Sequence, residues 1–232
     1  MRVNAVVVAA GEGKRMGATV PKAYLPIGNR PMILHTLSRF AVSQVRKVIV
    51  VAGRDELSAC QELIESDSRL QGLEFVVEAG GPRRQDSVSR GLARVDPDCE
   101  IIVIHDGARP FVPAYLIDQC IEIALVEGAV VVGVPARNTI KVVSPDNRVV
   151  ATLPRASLWE IQTPQVFQIN LIREAYKAAE QENIEATDDA MLVERLGKSV
   201  RVLEGHPTNI KITVPEDILF AEALLREGRV VG

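Results

Sequence analysis

Cysteine is scarce in this chain: Cys60, Cys99 and Cys120 are the only three, and no two of them form a C-x-x-C pair. An odd, widely spaced set argues against a disulfide framework, and the three read as reduced, buried thiols. Net charge is equally sparse. The 27 Lys and Arg against 30 Asp and Glu leave −3, so there is no general basic field, and no local Lys and Arg cluster replaces it; nucleic acid is not expected as a partner. Long apolar runs are missing as well: no segment approaches the ~20 apolar residues of a membrane span. The apolar segment near the start is too short for a signal core and lacks a cleavage site. The expectation is a cytoplasmic protein with no membrane partner. Internal repeats and low-complexity linkers are also absent.

What is present is 47% apolar and 25% charged residues, the balance of a soluble globular protein with a sizeable core. Short β-branched runs alternate with helical patterns. Strands are expected near 3–10, 47–52, 73–78, 100–105 and 129–134, and helices near 31–43, 55–66, 84–94 and 113–127. Ile101-Ile102-Val103-Ile104 is apolar on both faces, as suits a parallel strand covered by helices from each side. The fold class is therefore α/β: a doubly wound, mostly parallel sheet with a Rossmann-like nucleotide-binding half, in one domain spanning 1–232. Ligands of such sheets gather beyond the carboxyl ends of the strands, here the loops after residues 10, 52, 79, 105 and 134. One segment, 136–160, breaks the alternation. Thr139-Ile140-Lys141-Val142-Val143 and Arg148-Val149-Val150-Ala151-Thr152 flank Ser144-Pro145-Asp146-Asn147, the pattern of a β-hairpin. A two-stranded ribbon is marginal alone, so this one rests either on its own sheet edge or, as a protruding arm, on a partner subunit.

At the first strand end, Val6-Val7-Val8-Ala9-Ala10 opens into Gly11-Glu12-Gly13-Lys14-Arg15-Met16-Gly17, with Pro21-Lys22 close behind. Glycine lets backbone N–H groups approach phosphate oxygens, while Lys and Arg neutralise charge that backbone dipoles cannot, so the loop suits a nucleoside triphosphate. Neither common glycine loop is present. The pattern G-x-x-x-x-G-K-[ST] is absent, and a dinucleotide fingerprint would need its third glycine one position before Gly17 and an acid roughly 20 residues on. Asp55 lies too far along for that role, and Pro21 interrupts the required helix. Taken alone, the loop would be a basic surface turn; other motifs decide against that.

Three clusters stand at other expected strand ends. In His105-Asp106-Gly107-Ala108-Arg109-Pro110, Asp106 is placed to hold a hard cation through one carboxylate, unless it only caps the turn or pairs with Arg109. His105, with no nucleophile or carboxylate partner, reads as structural. In Gly80-Gly81-Pro82-Arg83-Arg84-Gln85-Asp86-Ser87, a base or sugar could sit against bare backbone with Ser87 reading a pyrimidine edge; otherwise the loop merely caps a helix. Asn209-Ile210-Lys211-Ile212-Thr213 precedes Pro215-Glu216-Asp217, whose proline and acids fit a first helical turn. Lys211, on a short strand, points away from Ile210 and Ile212, towards a ligand or towards solvent. Thr187, ahead of Asp188, Asp189, Met191, Leu192 and Leu196, reads as a helix N-cap.

Together these motifs resemble the 2-C-methyl-D-erythritol 4-phosphate cytidylyltransferase family over essentially the whole chain. The matching stretches are A-A-G-x-G-x-R-M from Ala9 to Met16, P-K at Pro21-Lys22, G-G-x-x-R-x-x-S ending at Ser87, H-D-G-A-R-P from His105 to Pro110, and the late N-I-K-[IV]-T. The resemblance implies that Arg15, Lys22, Arg155 and Lys211 are catalytic. It implies that Ala9, Ala10, Gly11, Gly13, Gly80, Gly81, Ser87 and Asp106 bind CTP, with Asp106 holding Mg²⁺. It further implies that Ala108, Arg109, Thr139, Arg155, Thr163, Thr187 and Lys211 line the methylerythritol phosphate site, and that arm 136–160 reaches into the other subunit of a homodimer. Thr208 stands where relatives carry an acidic residue.

The implied reaction needs no covalent nucleophile. The substrate's own phosphate attacks the α-phosphorus of CTP and pyrophosphate leaves, so the protein aligns two polyanions and stabilises charge on the transferring group. A cytidylyltransferase for another polyol phosphate, such as ribitol 5-phosphate, is the nearer alternative; Arg155, Thr163 and the small pair Ala156-Ser157 favour methylerythritol phosphate. A non-catalytic nucleotide-binding domain is the farther one. Arg15, Lys22, Asp106 and Lys211 in one chain argue against it, since binding alone would not require all four.

Overall fold

The computed structural model describes residues 1–11, 13 and 20–230; Arg15, with Glu12, Lys14, Met16 and Gly17, lies outside them. In chain order the strands are β1 (Val3–Val8), β2 (Pro26–Ile27), β3 (Arg30–Pro31), β4 (Lys47–Ala52), β5 (Glu74–Ala79), β6 (Ile101–Asp106), β7 (Ala129–Pro135), β8 (Lys141–Val143), β9 (Val149–Thr152), β10 (Trp159–Gln168) and β11 (Arg201–Glu204). The helices are α1 (Met32–Ala41), α2 (Leu57–Glu65), α3 (Arg84–Leu92), α4 (Ala114–Glu127), α5 (Ile169–Gln181), α6 (Asp189–Arg195) and α7 (Pro215–Arg226). The five expected strands and four expected helices are all present, within about two residues at each end.

Seven strands make the central sheet, in the order β11-β7-β10-β6-β1-β4-β5. Every pairing is parallel except those of β10, which runs antiparallel between β6 and β7. Strand alternation sends successive side chains to opposite faces. Val3, Ala5 and Val7 of β1 join a core with Ile33, Leu37 and Phe40 of α1, Cys60 of α2 and Ile117 and Cys120 of α4. Val6 joins the other core, with Val88 of α3, Ile172 and Tyr176 of α5 and Leu192 of α6. Cys99 also belongs to this second core, and all three thiols are buried. At roughly 1.5–3 kcal/mol for each large apolar side chain removed from water, these two layers dominate the stability. A third, smaller cluster of Ile27, Met32, Ala108, Phe111, Ile212 and Ala221 closes the carboxyl-end side with α7.

β10 and β11 were not expected. β10 carries Glu160, Gln162, Thr163, Pro164 and Gln165, and a proline argues against a central strand because it cannot donate to the ladder. Here the register with β7 breaks between Ile161 and Gln165, so Pro164 sits where no ladder bond is required. The segment 136–160 does hold a hairpin: β8 and β9 pair antiparallel as a two-stranded sheet of their own, with every residue exposed. Its own sheet edge is therefore not what supports it. Two local expectations are corrected. Asp188, not Thr187, caps α6, because its Oδ1 accepts from Met191 N–H at 3.0 Å while Thr187 stays exposed. Lys211 lies in irregular chain rather than a strand; the segment is pinned by Ile212 N–H to the Ala108 carbonyl at 2.9 Å. No helix among the described residues is long and apolar enough to cross a membrane.

Candidate active site

The register aligns the carboxyl ends of four parallel strands. Val8 pairs with Val51 and Asp106, and Ala52 with Ala79. The loops beyond these ends therefore open on one cleft, lined by Ala9, Ala10, Gly11, Lys22, Gly81, Arg84, Ser87, Asp106, Ala108 and Lys211 among others. A separate hollow between α3 and α5 contains none of these motif residues apart from the outer face of the Arg83–Asp86 turn.

Glycine is required where the walls approach. Gly13 has φ +63°, and a Cβ there would come within 2.7 Å of the Lys22 Cβ, so Gly13 packs directly against Lys22. A Cβ on Gly80 would meet that of Ala10 at 2.3 Å, which brings the ends of β1 and β5 into direct backbone proximity. The second glycine loop is braced from within. Gly81 N–H donates to the Ser87 hydroxyl at 3.1 Å, Ser87 donates to the Arg83 carbonyl, and Arg90 donates to the Gly80 carbonyl at 2.6 Å. Ser87 lines the cleft floor with its hydroxyl already committed to the loop.

Asp106 is the electrostatic centre. Its carboxylate is buried, with Lys211 Nζ 2.7 Å from Oδ2 and Arg84 Nε donating to Oδ1 at 3.0 Å. Burial alone would raise its pKa, but Arg84, Lys211 and Arg109 hold it well below the usual carboxylate range. Arg109 contributes through the field alone; its guanidinium donates instead to the Asn209 carbonyl at 2.8 Å. The backbone of Asp106 is fixed by its N–H donating to the Thr163 hydroxyl at 3.0 Å. That hydroxyl lies 3.0 Å from His105 Nδ1, and His105 Nε2 lies 3.1 Å from the Arg109 carbonyl, which can only accept. His105 is thus a neutral Nε2–H tautomer, fully buried, with its pKa pushed down by burial to about 4. It is the structural residue expected.

Residues with no site role expected from the sequence complete the floor. Arg84 Nη2 donates to Asp189 Oδ2 at 2.8 Å, and Tyr176 OH donates to Asp189 Oδ1 at 2.6 Å. Asn209 is wholly buried, and its amide donates to Gln162 Oε1 at 3.0 Å and the Thr163 carbonyl at 2.8 Å, tying the late loop to β10. Arg84 sits beside the glycine pair, yet nothing in its spacing points to a carboxylate more than 100 residues later. Thr139, Arg155 and Thr187 are all exposed and outside the cleft of this one chain. Arg155 donates to the Arg137 carbonyl at 2.8 Å and borders a surface hollow with Ala136, Glu204 and Pro207.

Among the described residues, no three His, Cys, Asp or Glu side chains gather as a metal cage. Mg²⁺ does not need one, because it is commonly held by one or two carboxylates together with substrate phosphates and waters. A single buried carboxylate in a cleft also lined by Gly11, Gly81, Lys22 and Arg84 fits that donor set. Among the described residues the cleft offers cations and backbone N–H groups and no paired nucleophile and base, which suits transfer between phosphates.

Comparison with known proteins agrees. A family model for 2-C-methyl-D-erythritol 4-phosphate cytidylyltransferase matches residues 3–227. The chain is 43% identical over 229 residues to the protein of that name from Alkaliphilus metalliredigens, covering 98% of this chain and 95% of the other. The solved structure of 4-diphosphocytidyl-2C-methyl-D-erythritol synthase from Anaerococcus prevotii matches with TM-score 0.86 at 30% identity, over 97% of this chain and 96% of that one. That of 2-C-methyl-D-erythritol 4-phosphate cytidylyltransferase from Thermus thermophilus matches with TM-score 0.79 at 34% identity, over 97% and 100%. Since the model and the relatives span the glycine loop, the Asp106 floor and the late lysine alike, the chain belongs to the 2-C-methyl-D-erythritol 4-phosphate cytidylyltransferase family.

Proposed function

We propose that this chain joins CTP and 2-C-methyl-D-erythritol 4-phosphate to give 4-(cytidine 5'-diphospho)-2-C-methyl-D-erythritol and pyrophosphate, a step in isoprenoid precursor synthesis. The observation that carries the reading is the meeting of Lys22, Arg84, Asp106 and Lys211 beside two glycine loops at one end of the sheet. A phosphate oxygen of the acceptor forms the new bond to the α-phosphorus, and the bond from that phosphorus to the bridging oxygen of pyrophosphate breaks. Ala9, Ala10, Gly80, Gly81 and Ser87 form the cytidine wall, with Gly11 and Gly13 amides towards the phosphates. Lys22 neutralises the α-phosphate, Arg15 the departing pair, and Lys211 and Arg155 orient the acceptor phosphate, with Ala108 and Arg109 beside it. Thr163 contributes by holding the Asp106 backbone. Asp106 would hold a Mg²⁺ ion arriving with the nucleotide, and such an ion would supply further charge neutralisation.

In the same reading the arm 136–160 rests on a second copy. Its strands expose Val142, Val143, Val149 and Val150 in one small apolar ribbon that nothing among the described residues covers. Thr139 and Arg155, too far from the cleft of their own chain, would then serve the partner's acceptor site, and Thr187 would border it. Three buried, unpaired thiols suit a reducing, cytoplasmic setting.

The test is pyrophosphate release from CTP and Mg²⁺ with methylerythritol phosphate and ribitol 5-phosphate offered in parallel. A strong preference for methylerythritol phosphate, with the KM for it raised in Arg155→Ala, is expected. Preference for ribitol 5-phosphate would move the acceptor assignment, and no release with either would leave only nucleotide binding.

A further inference from the structure

Arg84 connects the cleft to a carboxylate that no ligand-facing role accounts for. Asp189 is 1% exposed and does not line the cleft. It is seated from two sides. Tyr176 of α5 donates to its Oδ1 at 2.6 Å, and the backbone N–H groups of Asp189 and Ala190 donate to Gln165 Oε1 of β10 at 3.1 and 3.0 Å. Gln165 in turn donates to Asp188 Oδ2 at 2.8 Å, fixing the start of α6. A buried carboxylate is costly to desolvate and must be compensated by its partners. Here the charged partner is Arg84, whose other donor ends on Asp106.

The four groups Lys211, Asp106, Arg84 and Asp189 alternate in sign and sum to zero. Without Asp189, Lys211 and Arg84 in contact and Arg109 through its field would leave three cations on a single buried carboxylate. That matters where Asp106 takes Mg²⁺ arriving with CTP, the proposed function on which this inference rests. A metal ion must then win an oxygen of Asp106 from a cation that already holds it. With Asp189 in place, Arg84 keeps a carboxylate partner when Oδ1 is surrendered. Without it, Arg84 has no other carboxylate partner among the described residues and closes on Asp106.

We infer that Asp189 is a positioning residue: seated by Tyr176 and Gln165, it retains Arg84 and so leaves Asp106 Oδ1 open to a divalent cation. Calorimetric titration of CTP into the whole protein at rising Mg²⁺ reads this without turnover. In Asp189→Asn the Mg²⁺ concentration that gives half of the metal-dependent tightening of CTP rises about tenfold to a hundredfold, the range for losing a group that orients a metal ligand. Tyr176→Phe keeps the charge but loosens its seat, and shifts the same midpoint in the same direction by less. A purely structural Asp189 would weaken CTP binding equally with and without Mg²⁺, and that result would overturn the inference. So would a folded Asp189→Asn with the parent's Mg²⁺ dependence, or, where Asp189→Asn does not fold, a Tyr176→Phe with an unmoved midpoint. Asp106→Asn separates the two levels: if it keeps the parent's Mg²⁺ dependence, the metal reading of Asp106 fails and this inference with it. If it abolishes that dependence while Asp189→Asn does not alter it, the positioning role alone fails.

Discussion

His105 shows how one buried side chain imposes a pH dependence on the whole fold. Its neutral form is the one the structure keeps, with the folded pKa pushed to about 4 by burial, whereas an unfolded histidine titrates near 6.5. Between those values the unfolded chain binds the extra proton, so stability falls as pH drops from about 6.5 to about 4, by ~3 kcal/mol for this group. Burial lowers the pKa of His35 as well, and it adds to the same slope. Asp106, held low, contributes stability above the unfolded value near 4 and loses it only below, outside this window. Denaturant melts from pH 7 to pH 4.5 should show the decline, and His105→Gln should flatten it by about one proton whatever its absolute stability. An unchanged slope would mean that His105 is protonated in the fold. The sequence marked His105 as structural because no catalytic partner stood near it. It could not show which groups answer Asp106. Arg109, four residues from His105, was the natural guess, but its side chain turns to Asn209, and Arg84 and Lys211 take the carboxylate.

At the scale of elements, the parallel strands and their helices were readable because each has a single strong period. Ile101 to Ile104 is apolar throughout, and α1 repeats its buried positions at Ile33, Leu37 and Phe40. β10 was not readable, since Gln162, Thr163, Pro164 and Gln165 look like loop residues, and only their long-range partners in α6 and the Asn209 loop make burial tolerable. These same residues hold Asp106 and Asp189, so the strand that hides from pattern reading is the one that assembles the floor. Contact between α3 and β1 also leaves a testable mark. A Cβ on Gly91 would come within 2.6 Å of Val6 Cγ1 and 3.2 Å of Val51 Cγ2. Gly91→Ala gains up to about 1 kcal/mol of helix propensity but loses ~1–3 kcal/mol to overpacking. The urea midpoint should therefore fall at unchanged slope; a rise would mean that α3 stands off the sheet.

For the whole molecule, the arm sets the expectation. A chain whose own core leaves Val143 at 51% and Val150 at 66% exposure on a freestanding ribbon should be dimeric in solution. Sedimentation at micromolar concentration should give twice the chain mass. Val143→Glu with Val150→Glu should give one, with turnover lost and CTP binding kept. Monomeric parent protein with full activity would contradict the arm's proposed role. The hairpin itself was plain in the sequence from its turn residues, but what it rests on was not, because a two-stranded ribbon carries no periodic signal for the surface that would cover it.

The placement of the three cysteines offers a way to watch the fold come apart. Cys60 and Cys120 lie in the layer under α1, α2 and α4, and Cys99 in the layer under α3, α5 and α6. Burial raises all three thiols, Cys120 to about 12, so the native protein presents almost no thiolate to an alkylating reagent. Pulse alkylation read by peptide mass thus times the opening of each layer separately, without any introduced label. Matching rates at Cys99 and Cys120 would mark one cooperative unit across the sheet. A faster Cys99 would mark the layer that carries Tyr176 and Asp189 as the one that loosens first.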